Sequence, residues 1–388
     1  MTAESPQVEL SPAQIVARMD GVLHPSPGML AEAYLPSQMM QNHAAFLAFL
    51  PGGDLACAWF GGTMEGRGDI SIWMSRLAPG SAGWTPAQRL SAAPDRSEQN
   101  PVLFTAPDGV VWLFHTSQPG GRQDECQIMA RTSQDGGGSF GPARRIGTFT
   151  GIFVRQPVQI TPSGRWMLPA FHCITPPEGR WTGGLDRAVA LYSDDQGATW
   201  QAVEVPESLG AVHMNPVAPR DGIVPAFYRD RFSQHVRRSM SLDGGESWWP
   251  PAPTNMPNNN SSIQAIRLRD GRIALVLNPI NATMSDQRRA SLYDEIEEDA
   301  VAGTGGAIWG VPRAPMALAL SSDNGESFTI AAVLDDGSGA CLSNNSVDGL
   351  NKELSYPSIL QDPSGDLHIA YTYHRRAIKY LRVSLPPV

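Results

Sequence analysis

Four stretches of the chain obey one pattern, S-x-D-x-G-x-[ST]-[WF]: "SQDGGGSF" at 133–140, "SDDQGATW" at 193–200, "SLDGGESW" at 241–248 and "SSDNGESF" at 321–328. Apolar runs such as "AVALYS" and "MALALSS" precede them, and "IAAVL" follows the last. The pattern therefore marks a hairpin turn. Its Asp and Ser side chains satisfy turn amides, its Gly takes positive φ, and its aromatic folds back onto the sheet. A looser copy, "SRLAPGSAGW", ends at Trp84.

A second element also repeats: a polar or aromatic anchor, an apolar strand, a Gly-containing turn and another apolar strand. Six copies begin at His43, Asn100, Gln156, Asn215, Ser262 and Tyr356, among them "NPVLFTAPDGVVWLFH" and "YPSILQDPSGDLHIAYTY". Most are followed by an Asp-containing hairpin, which makes six four-stranded units. Short sheets at this period define an all-β fold, a six-bladed β-propeller over a single domain 1–388. The last unit has three strands of its own, so "GMLAEAYLPS" near the N-terminus is expected to supply the fourth. Within the extension 1–25, "SPAQIVARM" carries Ser11 as N-cap, Pro12 at N1 and Gln14 at N3, the signature of a short helix. A long insertion, 280–315, interrupts the fifth unit, and its "SLYDEIEEDAV" is expected to be helical.

Composition narrows the partners. A net charge of −9 argues against nucleic acid, and no apolar run is long enough to span a bilayer. The N-terminus has no basic start followed by an apolar segment, so a natural start there implies a cytoplasmic protein, and a removed leader a secreted or periplasmic one. Cys57, Cys126, Cys173 and Cys341 are too scattered for a zinc site and read as buried free thiols. No metal or cofactor is expected.

In a propeller blade the first and third turns share one face, and the strand starts and second loops share the other. The Asp-containing turns are third turns, so they are structural. The anchors ring the axis on the opposite face, beside polar loops such as "GGTMEGRGD" and "RDRFSQH". A funnel lined by His, Tyr, amides, Glu and Arg suits a polar ligand such as a sugar.

The Asp-containing turns resemble the Asp boxes of the sialidase superfamily. "AWFGGTMEGRGDISIWMSR", "NPVLF", "SYPSILQ" and "IAYTYHRRAIKYL" look like the BNR-repeat sialidase-like proteins of bacteria and plants. The resemblance implies an exo-acting glycosidase on a terminal, acidic sugar. Tyr356 then matches the nucleophile and Glu65 the acid/base, with Arg67 and Asp69 in the same loop. Glu353 is a candidate to take the phenolic proton. The family grips the substrate carboxylate with three arginines, the first just before the first inner strand. Here that place reads "QNHAA", so His43 or Asn42 replaces the cation. His43 joins the expected catalytic set. Expected substrate ligands are Arg155, Gln156, Asn100, Asn215 and Arg375, with Arg231 and Arg237 beside Arg229 in the fourth loop. Two other readings stay open: a lyase or rhamnosidase acting at a uronic acid through His and Tyr, and a sugar-binding propeller without catalysis.

Overall fold

The computed structural model describes residues 10–289, 292, 306–341 and 351–385. Six antiparallel sheets follow one another around an axis, and each inner strand packs on those of its neighbours. Blade I holds Gln41–Phe49, Leu55–Gly62, Ser71–Leu77 and Gln88–Arg89, and blade II Arg96–Thr105, Val111–Pro119, Gln127–Ser133 and Arg144–Arg145. Blade III begins with two short pieces, Ile152–Val154 and Gln159–Ile160, both paired to Trp166–His172, and continues with Arg187–Ser193 and Gln201–Glu204. Blade IV has Ala211–Pro216, Val224–Asp230, His235–Ser241 and Ala252–Pro257. Blade V has Gln264–Arg267, Ile273–Leu277, Met316–Ser321 and Thr329–Asp335.

Blade VI closes the ring with both ends of the chain. Its own strands Leu354–Gln361, Leu367–Tyr373 and Ala377–Val383 are completed by Met29–Tyr34, with Tyr34 opposite Lys379, and then by His24–Ser26. Closure removes the exposed sheet edges that an open repeat would leave. Lys379 Nζ bonds Asp335 of blade V at 2.8 Å, and the Tyr371 hydroxyl donates to the same carboxylate at 2.8 Å. The helix Pro12–Arg18 forms with its capping box on Ser11 and Gln14, and Ile15 buries against the final blades. No helix among the described residues is long and apolar enough to cross a membrane.

The Asp turns behave as their residues dictate. Asp195 accepts from the Thr199 amide at 2.8 Å and hydroxyl at 2.6 Å and from Ser193 at 2.8 Å, and the Gly197 amide donates to Ser193 at 2.7 Å. These hydrogen bonds, that of the Thr199 hydroxyl first, push the Asp195 carboxyl down to about 2. Gly197 sits at φ 87°, and a Cβ there would lie 3.0 Å from the Trp166 ring. Trp200 packs edge-on against Phe114 of blade II, so the turn also joins blades. The blade V insertion runs between Leu277 and Met316, on the face opposite these turns. The helix expected over 291–301 lies outside the described residues, Leu292 excepted. All four cysteines are buried, and Cys57, Cys126 and Cys173 are free thiols.

Candidate active site

A break in strand register builds the site. The inner strands of blades I, II, IV and VI slip between His43 and Phe46, Gln99 and Val102, Val212 and Asn215, and Ser355 and Ser358. The first bulged residue of each is left-handed: Ala44 at φ 62°, Asn100 at 52°, His213 at 55° and Tyr356 at 52°. Holding a non-glycine residue there costs about 1–2 kcal/mol, and such strain clusters where a side chain must be aimed. Asn100, His213 and Tyr356 do line a common recess on the axis.

This register corrects the choice of anchors. In blade IV the residue equivalent to Asn100 is His213, since Asn215 corresponds to Val102. In blade V the left-handed residue is Asn260, at φ 55°, before Ser262. In blade I it is Ala44, one after His43. The Asn-Pro pairs at 100 and 215 look equivalent but are offset by two positions.

Tyr356 is the centre of the recess. Its hydroxyl accepts a hydrogen bond from Arg229 Nη1 at 2.6 Å. Its ring lies 4.3 Å from that of His43 and 5.6 Å, edge to face, from that of His213. The guanidinium carbons of Arg155, Arg229 and Arg313 stand 5.5, 5.7 and 5.9 Å from the ring centroid.

These cations have different duties. Arg155 is buried behind Tyr356, where its Nη2 donates to the carbonyls of Ala45, Tyr356 and Pro357 at 2.8, 3.1 and 3.1 Å. It pins the bulges of blades I and VI and is not among the residues lining the recess. Arg231 lines the recess but is bound twice to Asp186, at 2.7 and 2.9 Å, between Phe171, Trp181 and Trp309. Arg229 lines it with no carboxylate bonded to it among the described residues. Its Nε donates to Asn260 at 2.7 Å, and its Nη2 is buried without a hydrogen-bond partner. Burial pushes its guanidinium down to about 9, against the pull of Tyr356.

The carboxylates are tied to the remaining arginines. Glu65 lines the recess from the blade I loop, where Arg375 Nη1 donates to it and its amide donates to Gln41 at 2.9 Å. Arg375 Nε and Arg313 Nη1 both reach Glu353 at 2.8 Å, and Ser355 donates to it at 2.7 Å. Burial acts to raise the Glu353 carboxyl, but Arg375 and Arg313 outweigh it and hold it well below the usual range. Glu353 is therefore poorly placed to take the phenolic proton. His43 Nδ1 pairs with Thr372 at 2.8 Å, and burial followed by Arg375 pushes its imidazole well below its ordinary value.

Several other expected ligands sit elsewhere. Arg67 is exposed, and Asp69 holds the Thr63 amide and hydroxyl at 2.9 Å, shaping the Glu65 loop. Gln156 reaches across to blade V, to the Ile263 carbonyl at 2.7 Å and Gln264 at 3.1 Å. Asn215 accepts from the Ala265 amide, and Arg237 bonds Asp230 at 2.7 Å and the Leu209 carbonyl at 2.8 Å. Sequence reasoning missed His213 and Arg313. His213 was hidden by the Asn-Pro offset, and Arg313 by the insertion that ends beside it.

Comparison with known proteins places this arrangement. Residues 53–369 match the BNR repeat-like domain. The chain belongs to that family. It is 28% identical over 257 residues to a sialidase of Micromonospora viridifaciens, a match covering 56% of this chain and 38% of that one. The chain thus spans well under half of that curated relative. Among solved structures, the Hadza microbial sialidase Hz136 superposes with a TM-score of 0.67 at 14% identity, covering 89% of this chain and 66% of that one. A protein of unknown function from Dyadobacter fermentans superposes with a TM-score of 0.66 at 16% identity, covering 93% and 100%. These similarities establish the sialidase-like fold of this BNR repeat-like chain.

Proposed function

We propose that the axial recess is the active site of an exo-acting glycosidase that removes a terminal sugar bearing a carboxylate. The observation that carries this reading is Arg229: a buried cation that lines the recess, bonds no carboxylate among the described residues and holds the Tyr356 hydroxyl. Burying a guanidinium without a counter-charge is unfavourable, and an anionic ligand offsets that cost. Tyr356 attacks the anomeric carbon through its oxygen. A neutral phenol approaches a carboxylate-bearing sugar without the repulsion a second carboxylate would meet. The bond to the leaving oxygen breaks as Glu65 supplies a proton. Water then displaces Tyr356 and returns a proton to Glu65. The relatives named as sialidases support the substrate class.

A uronate lyase is the second reading, favoured by His213, an imidazole beside Tyr356 with Arg229 available for the carboxylate. The test is a panel of aryl glycosides and oligosaccharides ending in N-acetylneuraminate or glucuronate. Hydrolysis releases the free sugar acid. A lyase instead gives a product with a new ultraviolet-absorbing double bond. Release of neither, with binding retained, leaves a sugar-binding propeller.

A further inference from the structure

In its bond with Arg229 the Tyr356 hydroxyl is an acceptor, and among the described residues no group takes the phenolic hydrogen. Of the two imidazoles beside Tyr356, His213 is the one that lines the recess, its ring edge to face with that of Tyr356 on the equivalent bulge of blade IV. Ser262 Oγ lies 2.9 Å from His213 Nδ1 and 3.5 Å from the Ile263 carbonyl. When the hydroxyl gives its hydrogen to that carbonyl, its oxygen accepts from Nδ1–H and the lone pair of Nε2 is left free. Phe171, 5.0 Å away, fixes the ring from the other side.

The charges around His213 oppose its taking a proton. Burial first, then Arg229, Arg231, Arg155 and Arg313, push its imidazole well below the ordinary value. Asp186 already neutralises Arg231, and Glu65 stands on the far lining of the recess, paired with Arg375. Among the described residues, Arg229 is the facing cation that lines the recess with no carboxylate bonded to it.

We propose that His213 is the proton acceptor for Tyr356, and that it becomes competent only when an anionic sugar occupies Arg229. This rests on the acidic-sugar reading of the recess. The proton passes from Tyr356 Oη to His213 Nε2 as the phenolic oxygen bonds to carbon, and returns when water releases the sugar. A carboxylate about 6 Å from the ring at an effective dielectric of ~20 moves the imidazole up by on the order of one to two pH units.

The full chain, labelled with ¹³C/¹⁵N histidine and ¹³Cζ tyrosine, provides the test, with His213→Gln and Tyr356→Phe identifying the resonances. In the free protein His213 is expected to be the Nδ1–H tautomer and to stay neutral down to the acid limit of the fold. Arg229→Gln and Arg229→Met should each raise its midpoint by at least one unit. Free N-acetylneuraminate should do the same in the wild type and move the Tyr356 resonance, while glucose should do neither. In His213→Gln the Tyr356 response should disappear. An Nε2–H tautomer, an unmoved midpoint in both Arg229 variants, or an equal Tyr356 response without His213 overturns the proposal. Binding of N-acetylneuraminate without a midpoint shift also overturns it. Failure of any acidic sugar to bind counts instead against the functional reading, and the Arg229 variants still decide the role of His213.

Discussion

Arg229 Nη1 lies 2.6 Å from Tyr356 Oη, and no carboxylate bonds either group among the described residues. The pair comes from blades IV and VI, whose bulged inner strands both open onto the recess. A cation on the phenolic oxygen favours negative charge there, which a nucleophilic phenol develops as it loses its proton.

Tyr356→Phe should lower kcat/KM by roughly 10³-fold or more. The ring contacts with His43 and His213 persist in the variant, so the thermal midpoint should change little. Retained turnover with a normal midpoint would remove Tyr356 from the chemistry.

Arg229→Met separates binding from stability. Losing this cation, which bonds no carboxylate among the described residues, should weaken binding of an acidic sugar by about 2–5 kcal/mol. Replacing a buried, unpaired charge with an apolar side chain of similar length should leave the fold as stable or more so. Isothermal titration and thermal melts on the same preparation check both halves.

Glu353→Gln should behave oppositely. It leaves Arg375 with Glu65 alone and takes from Arg313 its bond to Glu353, and breaking a buried pair costs about 3–5 kcal/mol. The pH dependence has a defined sign. The folded-state value of Glu353 is depressed, so its contribution is complete above the unfolded value near 4.5 and is lost as the pH falls towards the lower folded value. Wild-type stability should therefore decline below about pH 4.5, and the Gln variant should lose part of that slope in urea melts.

Asp195→Ala should lower the thermal midpoint and leave kcat/KM unchanged. The Asp195 turn is on the face away from the recess, and its carboxylate bonds only Ser193 and Thr199 of its own turn. A loss of activity with an unchanged midpoint would contradict the division between the two faces.

The fold was legible because turn chemistry is local. Ser, Asp, Gly and an aromatic at fixed offsets state a hairpin wherever they occur, and the N-terminal strand of blade VI followed from one unit being a strand short. Tyr356 and Glu65, expected from the family resemblance, both line the recess. The cation assignments were not legible. Arg155 and Arg229 differ in role because one holds the carbonyls of Ala45, Tyr356 and Pro357 while the other lines the recess on the Tyr356 hydroxyl, and contacts between distant blades decide that. His213 was concealed by a two-residue offset that only the strand pairing reveals.

The most direct measurement is covalent trapping. A 3-fluorinated glycosyl fluoride of an acidic sugar slows release of the sugar from the enzyme, and peptide mass spectrometry then locates any adduct. The account predicts one sugar on the peptide containing Tyr356, absent in Tyr356→Phe and greatly reduced in Arg229→Met. Turnover of the parent glycoside with no adduct on Tyr356, or with the sugar on another residue, would contradict it.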